Sequence, residues 1–187
     1  MANPPFANGK PPAREDGCMR ITPETVRDER AWVRERAPVV VPLINETRER
    51  LGRIFETDVD PVAPETYRRE VDAVFADGEV AVNVAGCVGL LRDLDVTGDY
   101  PGFVVDEVLG RELAATIAGG RPLSLLAQAT FHLVDTGVSE DVTADGAGTA
   151  GADDLDAALA AGFQTRLPGW DWREGASPFA VDPGGGE

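Results

Sequence analysis

The sequence predicts a mainly α protein: a compact helical domain of about five to six helices, with an extended leader before it and a long arm behind it. Three observations carry that prediction. Apolar residues recur at three- and four-residue steps over Val40–Phe55, Tyr67–Phe75, Val105–Ile117 and Leu123–Val134, the spacing of one helical face. Start and stop residues bracket these stripes, with Thr22-Pro23-Glu24 and Pro64 opening helices and Asp77-Gly78 and Gly119-Gly120 closing them. Outside residues 21–137 the periodicity fades and proline, glycine and acidic residues take over. The chain therefore divides into a leader over 1–20, a helical domain over 21–137, and an acidic linker, short helix and aromatic arm over 138–187.

The leader holds Pro4, Pro5, Pro11 and Pro12, which cannot donate backbone hydrogen bonds and favour extended geometry. The first helix takes Thr22 as N-cap, Pro23 at its first position and Glu24 near the positive end of its dipole. It runs to about Arg36, burying Val26, Trp32 and Val33, and Pro38 breaks or kinks it. The second helix aligns Val40, Leu43, Ile44, Thr47, Leu51, Ile54 and Phe55, with Pro42 in its first turn or at a kink. Asp58 to Pro61 is a connector. A third helix from Pro64 to Ala76 sets Tyr67, Val71, Val74 and Phe75 on one side.

Residues 79–94 admit two patterns. Val80, Val82 and Val84 alternate as in a strand, whereas Val80, Val84, Cys87, Val88 and Leu91 fit a helix. Length and helical neighbours favour the helix, with Gly86 and Gly89 permitting close approach. A helix over about 103–118 carries Val105, Leu109, Leu113 and Ile117. The next opens at Pro122 and aligns Leu123, Leu126, Ala127, Thr130, Leu133 and Val134. Beyond Gly137, Ser139 to Ala152 reads as a linker. A short helix from Asp153 to Ala161 follows, ended by Gly162. The arm then holds Phe163, Leu167, Trp170, Trp172 and Phe179 amid proline and glycine, with no periodicity.

Charge bounds the partners. Of the 187 residues, 33 are acidic and 17 basic, a formal charge of −16, and Lys10 is the single lysine among those bases. Residues 138–187 carry half of that excess, ten acids against Arg166 and Arg173. Such a surface repels phosphate backbones, so direct nucleic-acid binding is excluded. The acid surplus fits a halophilic host, where carboxylates keep a protein hydrated in concentrated salt, or a GC-rich codon bias. No apolar run nears the roughly 18 residues that cross a bilayer, and Met1 to Lys10 lacks the pattern of a secretory signal. The expected location is the cytoplasm or a virus particle.

The remaining motifs offer little chemistry. Cys18 and Cys87 with one histidine cannot build a four-ligand zinc site. Asp93-Leu94-Asp95-Val96-Thr97-Gly98-Asp99 matches the first half of a calcium loop, but Val104 stands where the twelfth position needs a bidentate acid. His132 has no nucleophile signature nearby and reads as a packed or boundary residue. Neither a phosphate loop nor a nucleophile elbow is present. No cofactor, metal or catalytic residue is therefore expected.

The aromatic arm carries the functional expectation. Rings outside any periodic helix must lie on something, either this chain's own helices or a neighbour, and large rigid rings are effective interface anchors. Phe163, Trp170, Trp172 and Phe179 are the candidate partner-binding residues. They point to a structural subunit that grips other protein subunits, copies of itself or other chains, through terminal arms. In layout, though in no motif, this resembles the small helical connector proteins of tailed viruses, the head–tail adaptors. The competing expectations are a small enzyme or accessory subunit without a recognisable motif, and a helical module that binds a small ligand.

Overall fold

The computed structural model describes residues 19–94, 105–141 and 152–170. These form seven helices and, among the described residues, no strand: α1 (Pro23–Glu35), α2 (Ala37–Phe55), α3 (Pro64–Ala76), α4 (Gly78–Asp93), α5 (Val105–Ala118), α6 (Leu123–Asp141) and α7 (Ala152–Arg166). The fold is thus mainly α, as the periodicity requires.

Local signals set most of the boundaries. The Thr22 hydroxyl accepts a hydrogen bond from the Thr25 N–H at 3.2 Å, and Pro23 occupies the first turn of α1. Asp77 caps α4 in the same way through the Val80 N–H at 3.3 Å. Residues 79–94 resolve as helix, because α4 buries Ala81, Val84, Ala85, Val88 and Leu91 along one face. α1 and α2 are parted by the single residue Arg36, with Pro38 in the first turn of α2 and Pro42 inside it. The chain leaves α2 through Glu56 in the left-handed region, φ 53°, and turns back so tightly that a Cβ on Gly52 would stand 2.7 Å from the Thr57 carbonyl oxygen.

The principal correction concerns α7. The sequence suggests a short helix in an arm, ended by Gly162. Instead α7 continues through Gly162 to Arg166 and packs against α5, α6 and α2, with further contacts to α3 and α4. Every residue from Leu155 to Thr165 is buried. A helix buried on all faces belongs to the centre of a bundle, so the helical domain does not stop near residue 137. Its alanines at 157, 158, 160 and 161 let neighbours approach from all sides. Gly162 is a contact rather than a terminator: a Cβ there would lie 2.8 Å from the Ile117 Cβ and 3.0 Å from the Ala114 carbonyl oxygen.

The core forms around this helix. Val33, Val40, Ile44, Tyr67, Val71, Val84, Leu91, Leu113, Ile117, Phe131, Leu159 and Phe163 are buried in one cluster. The Tyr67 and Phe163 rings meet edge to face at 5.1 Å, and the Tyr67 hydroxyl donates to the Val33 carbonyl at 2.9 Å. Burial drives the Tyr67 hydroxyl pKa far up, so it stays a neutral donor.

Candidate functional site

Of the four residues expected to hold a partner, the structure places two inside the domain. Phe163 lies in the core against Tyr67. Trp170 is 1% exposed, donates from its indole N–H to the Gln164 carbonyl at 3.0 Å, and lies under the Arg48 guanidinium at 5.2 Å. Both rings are therefore spent on this chain's own interior. Trp172 and Phe179 lie outside the described residues.

Arg48 explains why Trp170 sits where it does. Its guanidinium is 1% exposed and donates to the Pro168 carbonyl. Gly169 has φ +95°, and a Cβ there would come within 2.8 Å of Arg48 Nη2, so the turn into Trp170 needs glycine. Desolvation lowers the Arg48 pKa to about 10, against the opposing charge of Asp60. Even so, the group remains protonated at neutral pH.

The arginines divide into two populations that the sequence does not separate. One joins helices inside the fold. Arg36 donates through Nε to Asp156 at 3.0 Å and through Nη2 to its other oxygen, Arg92 holds the buried Glu29 at 2.6 Å, and Arg166 holds Glu70 at 2.6 Å. Arg92 and Arg36 also stack on the Trp32 ring, at 4.4 and 5.3 Å.

The other population faces outward. Arg27, Arg30, Arg34 and Arg68, with Ala31 and Glu35, line an open groove of about 470 Å³ between α1 and α3. Helical spacing explains the row on α1, since residues 27, 30/31 and 34 share one face. Asp72 on α3 orients two of them, accepting from Arg30 Nε at 3.0 Å and Nη2 at 2.8 Å and from Arg34 Nη1. Desolvation pushes the Asp72 carboxyl up, but the hydrogen bonds and charges of Arg34 and Arg30 together outweigh it and hold the group below its usual range. Arg27 makes no ion pair among the described residues. A second groove, about 690 Å³, follows the end of α2 and is mixed in charge, with Glu46, Glu49, Glu56 and Asp58 beside Arg48 and Arg53 on its walls.

A third feature is acidic. Asp106 of α5, Asp135 of α6 and Asp154 of α7 come together at one end of the bundle. Desolvation, then the charges of Asp135 and Asp106, raise the Asp154 carboxyl from its ordinary 3.8 to about 7. Desolvation raises Asp135 as well. His132 stands at the rim, its Nδ1 3.6 Å from Glu107 Oε1 and its ring edge-on to Phe131 at 5.7 Å. It is half exposed, a boundary residue. Among the described residues no three metal-ligating side chains are arranged to hold an ion. Asp93 ends α4, while residues 95–104 of the half calcium loop lie outside the described residues, as does Cys18. Cys87 is a free thiol whose pKa is raised by burial and then by Glu112.

Fold and surface together define a helical domain built on a central buried helix, with an arginine-lined groove on its outer side. The chain belongs to a family described as a domain of unknown function (DUF7984), whose model matches residues 19–183. That span takes in all seven helices and reaches beyond Trp170. No curated protein and no solved structure matches the chain. No single helix among the described residues is long and apolar enough to cross a membrane.

Proposed function

We propose that this chain is a structural subunit that docks on other protein subunits, further copies of itself included, rather than an enzyme. The observation that carries this reading is the arginine-lined groove of α1 and α3: an exposed, pre-oriented basic surface on a chain of formal charge −16. Guanidinium groups held in fixed geometry recognise carboxylates through paired hydrogen bonds, and carboxylates are what other copies of this chain present in excess. The layout supports a connector-type role of the kind found in tailed virus particles. The acid surplus supports a halophilic host, and so a setting in the cytoplasm or in a particle.

Sedimentation of the purified full chain tests this, at low and at multimolar salt. The expected outcome is a species heavier than the 19.8 kDa monomer. A monomer at every salt and protein concentration overturns the reading.

A second reading, an enzyme or accessory subunit, draws on Asp154. A carboxyl titrating near neutrality beside two others is a feature of acid–base sites. Under that reading, Asp154→Asn abolishes an activity while leaving assembly intact.

A further inference from the structure

We propose that the arginine-lined groove of α1 and α3 receives residues 171–187 of a neighbouring copy, its guanidinium groups pairing with the segment's carboxylates and stacking on Trp172 and Phe179. This rests on the assembly reading above and names its partner.

The groove is built for such an occupant. Asp72 fixes Arg30 and Arg34 from below while leaving them roughly half and one-third exposed. Arg68 is paired with Glu65 along α3, Arg27 has no ion-pair partner among the described residues, and the lining itself holds one acid, Glu35, beside four arginines. A compact polyanion such as duplex nucleic acid would meet this groove but also the repulsion of the remaining surface. A short segment meets only the groove.

The segment has the matching chemistry. Asp171, Glu174, Asp182 and Glu187 outweigh Arg173, and Trp172 and Phe179 supply rings. Arginine planes take carboxylates edge-on and aromatic faces flat-on. The fold already uses that pairing, in Arg92 and Arg36 on Trp32 and in Arg48 on Trp170. Pro178 and Pro183 favour an extended path over a helix.

The point of departure supports the placement. Trp170 is locked by Arg48 and the Gln164 carbonyl, so the segment starts from a fixed anchor. Its seventeen residues can extend to roughly 55–60 Å at about 3.3–3.6 Å each, far enough to reach an adjacent subunit. The matched family span, 19–183, holds both the groove and the two rings.

Two full-chain variants test the proposal, Arg27→Glu/Arg68→Glu for the groove and Trp172→Ala/Phe179→Ala for the segment. Circular dichroism checks that each keeps its helix content, and Arg27→Glu alone serves if the double variant does not fold. Each variant alone should associate at least about tenfold more weakly than the parent in sedimentation, since like charges at an interface and lost ring anchors each cost that much or more. Mixing the two should restore a complex, because each supplies what the other lacks. Assembly unchanged in both variants overturns the inference and leaves the assembly reading standing, whereas a monomeric parent overturns that reading itself. Weakened association without rescue on mixing also overturns the inference. So does binding of inorganic phosphate or a duplex oligonucleotide that the groove variant loses while assembly persists.

Discussion

α1 and α7 are of similar length, yet one writes its role on its surface and the other hides it. α1 is amphipathic: Glu29 and Val33 turn inward, while Arg27, Arg30 and Arg34 face the groove. α7 has no outer face to show from Leu155 to Thr165, and small side chains on every side let α2, α5 and α6 close around it. A helix can thus present charge on half its circumference, or serve as the scaffold's axis by giving up all of it.

The largest test of this contrast is Trp170→Ala. The ring is buried and holds Arg48 in place, so its loss should cost about 3–5 kcal/mol of stability. Part of that cost is the buried guanidinium it leaves uncovered. Urea denaturation measures this, and a loss below about 1 kcal/mol would return Trp170 to the exposed arm. Arg27→Ala provides the contrast: an exposed α1 residue of this kind should change stability by less than about 0.5 kcal/mol.

Gly162→Ala comes next. In an exposed helix this change gains about 1 kcal/mol of propensity. Here the new methyl would press on the Ile117 Cβ and the Ala114 carbonyl oxygen, at 2.8 and 3.0 Å. Overpacking of that kind costs about 1–3 kcal/mol, so the net effect should be a lower unfolding midpoint. A stabilised variant would mean that α5 and α7 are less closely packed than described.

The last test concerns Asp154 and reads its effect through pH. Its folded pKa of about 7 stands above its ordinary 3.8. The folded state therefore binds more protons across that interval, and stability falls as pH rises from about 4 to about 7. Asp154→Asn should raise the unfolding midpoint at pH 8 and flatten its dependence between pH 5 and 8. An unchanged slope would place the pH response elsewhere on the acidic surface.

These residues also mark where the sequence is legible. α1 to α3 could be read because Thr22, Pro23 and Pro64 announce their starts and the stripes have one apolar side. Residues 79–94 admit both patterns because valine serves strand and helix alike; length and helical neighbours favour the helix, and the packing of Ala81, Val84 and Val88 on the core is what the pattern leaves out. α7 is hard to read for a physical reason: alanine and glycine, which make close packing possible, carry little hydrophobic contrast, and Gly162 imitates a stop signal. The arginines of α1 are legible in the sequence as part of that helix's charged outer face. Their convergence with Arg68 and Asp72 depends on how α1 and α3 lie together. The meeting of Asp106, Asp135 and Asp154 joins three helices, and no local pattern encodes it.

Arg36 has a mechanical consequence. It is the single residue between α1 and α2, and its guanidinium reaches Asp156 on the central helix while lying over Trp32 of α1. A force applied to α1 is therefore met at the joint by an ion pair rooted in the middle of the bundle. The joint behaves as a braced hinge: traction on α1 is carried into α7, the helix least free to yield.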